Sequence, residues 1–257
     1  MAQLKEKQFT ITSDLGVFVE IRKDLFRCTQ VYTVMASLIS IPCCVFLARY
    51  SEQKYALVDA SHNSNATLLV SAVRSQLAKT SPPGTLTHFL CTHAHRDHIG
   101  GLHAILEAYP ELRVVAHEEE LPFLCDQTPY STQPADNWTF WFARPLLSTP
   151  ITSLDRGMVD VVSNGDVILD GAFRVISTPG HTPVLVGDAL VHFSLTGSAT
   201  YSLSGPPILF TPNDAEARRS MVKIASDGEW DTLFAAHDGS GGAVRKDVDE
   251  FLRKIGA

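Results

Sequence analysis

Cysteine is scarce in this chain, and none is spaced for a disulfide framework or a cysteine zinc site. The five residues Cys28, Cys43, Cys44, Cys91 and Cys125 are odd in number and irregular in spacing, with no Cys-x-x-Cys pair. That usage points to a reducing compartment, with Cys43 and Cys44 as small core residues. No Lys/Arg run exceeds two and the formal net charge is −7. A nucleic-acid binder needs a basic face to neutralise phosphates, so no nucleic-acid partner is expected. Met1 to Lys7 contain no apolar stretch of the kind that opens a secretory signal, so a cytoplasmic location is expected. The 21 uncharged residues from Cys28 to Ala48 approach membrane-span length. However, Thr29, Gln30, Thr33, Ser37, Ser40 and Pro42 interrupt them, and β-branched and aromatic residues dominate the rest. The segment therefore reads as two buried strands broken near Ser40-Ile41-Pro42, with no membrane partner expected. A Gly-x-Ser-x-Gly nucleophile motif is also missing.

What is present is a chain of 257 residues, 45% hydrophobic, which suits a sizeable core and excludes disorder. No internal repeat, low-complexity segment or linker divides it, so residues 1–257 are read as a single domain. Phe9 to Ile21 looks like a hairpin turned at Ser13–Gly16, and Tyr55 to Val58 is a strand closed by Asp59. Asn65 is placed to cap a helix from Ala66 to about Lys79, with Leu68, Leu69, Ala72, Val73 and Leu77 on one face. A strand from Leu86 to Cys91, a helix from Leu102 to Tyr109, a strand at Val114–Ala116 and a helical start at Glu118 to Leu124 follow. Residues 126–150 show no period and hold Trp138, Phe140, Trp141 and Phe142 among four prolines. They are either a loop over a pocket or an aromatic cluster filling the core. Strands are expected at 158–162, 167–169, 173–176, 184–186 and 232–236, with helices at 213–226 and 244–255. The alternation gives an α/β domain with strands between helical layers.

The strongest chemical signal is Thr92-His93-Ala94-His95-Arg96-Asp97-His98-Ile99-Gly100-Gly101. Three histidines and an aspartate fall within six positions directly after an apolar strand. Alternation puts His93 and His95 on one side of the backbone, and Asp97 and His98 reach a neighbouring point. Imidazole suits zinc, and carboxylates suit zinc, manganese or iron. Gly100 and Gly101 allow close backbone approach and the start of a helix. A metal site needs several segments, and further candidates lie at strand ends: Asp59, His181 in Thr178-Pro179-Gly180-His181-Thr182-Pro183, Asp188 in Gly187-Asp188-Ala189-Leu190, and His237 in Ala235-Ala236-His237. Cys91, inside a strand, reads as a buried structural cysteine.

In this order the motifs resemble the metallo-β-lactamase-fold hydrolase superfamily, over residues 58–238. The 213–220 stretch, followed by the strand and His237, is similar to its branch of lactonases and methyl-parathion-hydrolase-like enzymes. The resemblance implies an αββα sandwich of two mixed sheets flanked by helices, with a two-metal site at one edge. It implies two Zn2+ per chain, with Fe or Mn as alternatives. His93, His95 and His181 hold one metal, Asp97, His98 and His237 the second, and Asp188 bridges them. Asp59 orients a ligand histidine. Asp97 and Asp188 are the catalytic pair of carboxylates. His62, His88, His103, His117 and His192 match no motif position and read as ordinary histidines.

This implies a metal-dependent hydrolase in which a hydroxide activated by binuclear zinc cleaves an ester, lactone or thioester of a small-molecule substrate. One departure stands out. Only six residues separate His181 from Asp188, where the family places a hairpin, so the second sheet is expected to miss a strand. A straight strand over 184–187 starts about 13 Å from the site, at about 3.3 Å per residue. Metal-bound His181 and a regular strand therefore compete. Two other readings follow: an iron-containing redox member of the same fold, or a catalytically impaired member. The sequence leaves the oligomeric state open.

Overall fold

The computed structural model describes residues 14–34, 39–143, 153–180, 190, 203–206, 211–226, 230, 232–238 and 243–256. Seven strands form one sheet in sequence order: β1 (Val19–Arg22), β2 (Leu25–Val34), β3 (Ile39–Arg49), β4 (Lys54–Val58), β5 (Thr85–Leu90), β6 (Arg113–His117) and β7 (Val159–Val162). Strands β1 to β4 are antiparallel neighbours, and β4 to β7 are parallel. Parallel neighbours need crossovers, which helix α1 (Ala66–Leu77) supplies after β4 and helices α2 (Arg96–Ile99) and α3 (Leu102–Ala108) supply after β5.

The parallel strands are apolar on both faces, as helix-covered strands must be. Leu57, Phe89 and Val114 point to one side, where they pack with Leu69, Val73 and Leu77 of α1 and Leu102 and Ile105 of α3. Their neighbours Ala56, Leu90 and Val115 point to the other side, against Val175, Ile168 and Phe173. The last two belong to the ribbon of β8 (Val167–Ile168) and β9 (Phe173–Arg174). A second ribbon, β10 (Thr232–Leu233) with β11 (Ala243–Val244), lies under helices α4 (Asp214–Ser226) and α5 (Arg245–Ile255). Helices, large sheet, short strands and helices reproduce the expected αββα order. The second sheet is represented, among the described residues, by these two ribbons. Each fully buried Leu, Val or Phe contributes roughly 1.5–3 kcal/mol, so this two-faced core dominates the stability. Among the described residues no helix is long and apolar enough to cross a membrane.

The uncharged stretch does form two strands, but β3 already begins at Ile39, so the break falls earlier than Ser40–Pro42. Pro42 sits inside β3 opposite Val31. The reason is directional. Cys44 N donates to Ala236 O at 2.7 Å, away from β2, and residue 42 faces the same way two positions earlier. Proline's missing N–H therefore costs the β2–β3 ladder nothing. Asn65 precedes α1 but does not cap it with its side chain, which donates to Val31 O at 3.3 Å. Asn213 does cap α4, accepting from Glu216 N at 2.9 Å. The hairpin expected at 9–21 and the strand at 184–186 lie partly and wholly outside the described residues. In the described part of the 126–150 stretch, Tyr130 and Phe140 are buried, while Trp138, Trp141 and Phe142 are exposed.

Candidate metal centre

The parallel strands end at one edge of the sheet, where doubly wound sheets collect their functional groups. β4 runs out into Asp59 and β5 into Thr92 and His93. Asp59 is buried and has a left-handed backbone, φ 61°. Its Oδ1 accepts from Thr92 N at 3.0 Å, and Thr92 Oγ1 lies 2.9 and 2.7 Å from the two carboxylate oxygens. Oδ2 is 2.8 Å from His98 Nδ1. A carboxylate accepts, so Nδ1 carries the proton and Nε2 the lone pair.

His95 has extended backbone, and α2 starts directly after it. That helical turn turns Asp97 and His98 into the same cluster as the preceding histidines. It is held down by close backbone packing. A Cβ on Gly100 would fall 2.5 Å from Asn63 N, and one on Gly101 would fall 2.3 Å from Ala60 O. Both positions need glycine for that contact, as the sequence suggested. The rings of His93 and His95 are 4.6 Å apart, and those of His93 and His98 are 3.9 Å apart.

His237 arrives from the other half of the chain. Its segment docks on the open side of β3, and its Nδ1 lies 2.7 Å from Pro42 O. A carbonyl only accepts, so here too Nδ1 carries the proton and Nε2 the lone pair. Nε2 is 3.4 Å from Asp97 Oδ2, and His98 Nε2 is 4.0 Å from Asp97 Oδ1. Asp97, His98 and His237 thus bring one donor atom each within 4.8 Å of one another. The donor set of two imidazoles and a carboxylate, with tautomers fixed from behind, fits a divalent metal ion.

A buried ionic group secures the His237 segment. Arg27 Nε is 2.5 Å from Asp14 Oδ2, and its NH1 nitrogen is 3.6 Å from Asp238 Oδ2. All three side chains are buried.

The structure thus brings together His93, His95, Asp97, His98 and His237, five of the seven expected ligands. His181 and Asp188 lie outside the described residues, as does the shortened segment between them. The approach to His181 is described: Pro179 O accepts from Ser220 Oγ at 2.7 Å and Gly180 O from Asn213 N at 3.0 Å, fastening that turn to α4. Cys91 is fully buried and burial pushes its thiol well up, which suits a structural role.

Three residues at the site had no sequence signal. Tyr32 on β2 donates its hydroxyl to Asp97 Oδ2 at 2.6 Å and stacks on His62, ring centroids 4.9 Å apart. Glu120 and Tyr130 meet the backbone of Ala94 from below; Glu120 Oε2 accepts from Ala94 N at 2.9 Å. All three come from segments remote in sequence from the histidine motif, so only the fold reveals them. Of the unassigned histidines, His117 accepts from Glu119 N at 3.4 Å and His88 contacts Tyr50.

Comparison with known proteins places this arrangement. The model of the metallo-β-lactamase superfamily matches residues 41–256. The "Probable metallo-hydrolase YflN" of Bacillus subtilis is 25% identical over 222 residues, 78% of this chain and 82% of that protein. A hydroxyacylglutathione hydrolase of Vibrio parahaemolyticus is 27% identical over 154 residues, and the match spans 48% of its length. A subclass B3 metallo-β-lactamase from a soil metagenome library superposes with a TM-score of 0.58 at 17% identity, covering 95% of both chains. A β-lactamase domain protein from Burkholderia ambifaria gives 0.61 at 15% identity, covering 96% of this chain and 77% of the other. The fold is that of the metallo-β-lactamases, and the two curated relatives named above are hydrolases by name. With its family model spanning most of its length and its histidine motif folded into one buried cluster, the chain belongs to the metallo-β-lactamase superfamily.

Proposed function

We propose that this chain is a zinc-dependent hydrolase of ester, lactone or thioester bonds in small molecules. His93, His95 and His181 would hold one ion, and Asp97, His98 and His237 the other. Asp188 would lie between them. The observation that carries the reading is the Asp97–His98–His237 cluster, with its donor atoms within 4.8 Å and both histidines fixed as Nδ1–H tautomers. When bound, divalent zinc supplies Lewis acidity and lowers the pKa of water to near neutrality.

The chain's own residues do the remaining work. Asp59 and the Pro42 carbonyl hold His98 and His237 in one orientation, so no proton has to leave Nε2 before binding. Tyr32 holds Asp97 by Oδ2 and so fixes the carboxylate that would serve the second ion. No serine or cysteine nucleophile is required, and a buried, protonated Cys91 cannot serve as one. The hydroxyacylglutathione hydrolases among the relatives favour acyl-oxygen or acyl-sulfur cleavage, although the chain spans only about half their length. The decisive experiment is a panel of esters, lactones, thioesters and phosphotriesters on zinc-loaded protein, with and without chelator. Chelator-sensitive turnover of an acyl substrate supports the reading. Stoichiometric iron with a redox spectrum favours the oxidoreductase reading, and two bound zinc ions without turnover favour a catalytically impaired member.

A further inference from the structure

The two histidines flanking Ala94 share one peptide plane on each side, so whatever fixes that residue fixes both rings. Ala94 lies past the end of β5 and before α2, where neither sheet nor helix supplies its N–H with a partner. It is buried, so an unmatched N–H there would be costly. The partner comes from beyond β6. Glu120 Oε2 accepts from Ala94 N at 2.9 Å, and Tyr130 Oη lies 3.1 Å from the same nitrogen. Tyr130 also donates its hydroxyl to Glu120 Oε2, closing a three-membered cluster. The Tyr130 ring stands edge-on to His95, centroids 4.4 Å apart, and stacks on Phe123 at 3.9 Å.

Glu120 is an unusual choice for this place. It is fully buried, and among the described residues it has no Lys or Arg partner. Its Oε1 also has no hydrogen-bond partner there. Burying a carboxyl without a cation is costly, and burial pushes this one up to about 8. A glutamate set only to fill space would be replaced by leucine at no loss. Its remaining contribution is the pair of hydrogen bonds to Ala94 and Tyr130.

We propose that Glu120 and Tyr130 are positioning residues for the His93–His95 pair, clamping the Ala94 peptide and one side of the His95 ring so that both imidazoles are set for one metal ion. The inference rests on the metal reading of the site proposed above. It does not depend on the bond cleaved.

The test reads metal affinity, not turnover. Zinc binding is measured by competition with a chromophoric chelator, and Co2+ substitution reports ligand geometry in the visible spectrum. Wild type, E120L, E120Q and Y130F are compared, each also on H237A, which removes a proposed ligand of the other ion. E120L is expected to lose about ten- to a hundred-fold in affinity for the ion at His93 and His95, the range for losing a residue that orients a ligand. It should also change the Co2+ spectrum. E120Q keeps a carbonyl that accepts both bonds and should recover most of that affinity. Y130F should lose less than E120L, because Glu120 still holds Ala94. Wild-type affinity and spectrum in E120L, with only a lowered apo-protein Tm, would reduce the cluster to a structural role and overturn the inference. If E120L does not fold, unchanged affinity and spectrum in Y130F overturn it instead. Wild-type protein that binds no zinc at all would overturn the metal reading itself, a result distinct from either.

Discussion

Replacing Asp59 with Asn isolates a single proton. The substitution preserves volume, and Asn tolerates the left-handed backbone at φ 61° as well as Asp does. Two orientations are open to the new amide. If its oxygen stays over Thr92 N, 3.0 Å away, its NH2 replaces Oδ2 and meets His98 Nδ1 at 2.8 Å. His98 must then accept at Nδ1 and carry its proton on Nε2, the nitrogen that faces Asp97 and the proposed metal. If the amide flips, its NH2 meets Thr92 N–H, and a buried donor loses its acceptor at a cost of about 1–3 kcal/mol. The first orientation opposes metal binding directly, and the second restores the binding tautomer only at that cost. The expected loss is about ten- to a hundred-fold in affinity for the ion at Asp97, His98 and His237, equivalent to about 1.4–2.8 kcal/mol. Zinc competition with a chromophoric chelator measures it, and apo-protein Tm serves as the control for folding. D59N protein that binds zinc like wild type would show that Asp59 is only a turn residue and that the tautomer argument is wrong.

Other perturbations bear on the scaffold around the site. G101A puts a Cβ 2.3 Å from the Ala60 carbonyl, backbone that cannot yield cheaply, and should lower Tm by several degrees in calorimetry, about 1–3 kcal/mol. R27M removes the cation from between two buried carboxylates and should destabilise by about 3–5 kcal/mol in denaturant titration. Because Asp238 follows His237, R27M should also weaken zinc binding in the competition assay. The raised Glu120 carboxyl makes stability pH-dependent. Its folded value is about 8, against about 4.3 in an unfolded chain, so the folded state holds the extra proton between those values. That contribution is complete below about pH 4 and is lost as pH rises towards 8. The Tm of apo E120Q should therefore gain on that of apo wild type between pH 5 and pH 8, and a constant difference would refute the assignment.

Much of the site was legible because metal ligands must be particular residues at particular strand ends. The run from His93 to His98 announces its chemistry through composition alone, and Gly100 and Gly101 announce close packing. The parallel strands were legible as short unbroken apolar runs, since Ala56 and Leu57, or Val114 and Val115, face opposite layers of the core. What stayed hidden was whatever depends on contacts across the fold. Pro42 read as a strand break because proline lacks an N–H, yet the structure turns that position away from β2 and uses its carbonyl to fix His237. Asn65 read as a helix cap, but its side chain is spent on Val31 O. Tyr32, Glu120 and Tyr130 carry no local motif, because a hydrogen bond to Asp97 or Ala94 leaves no trace in the neighbouring sequence.

Metal stoichiometry tests the central claim most directly. Equilibrium dialysis against Zn2+ followed by elemental analysis should give two equivalents per wild-type chain and one tightly held equivalent in H237A. No bound zinc in the wild-type protein, or two equivalents undiminished in H237A, would contradict the assignment of Asp97, His98 and His237 as a metal site.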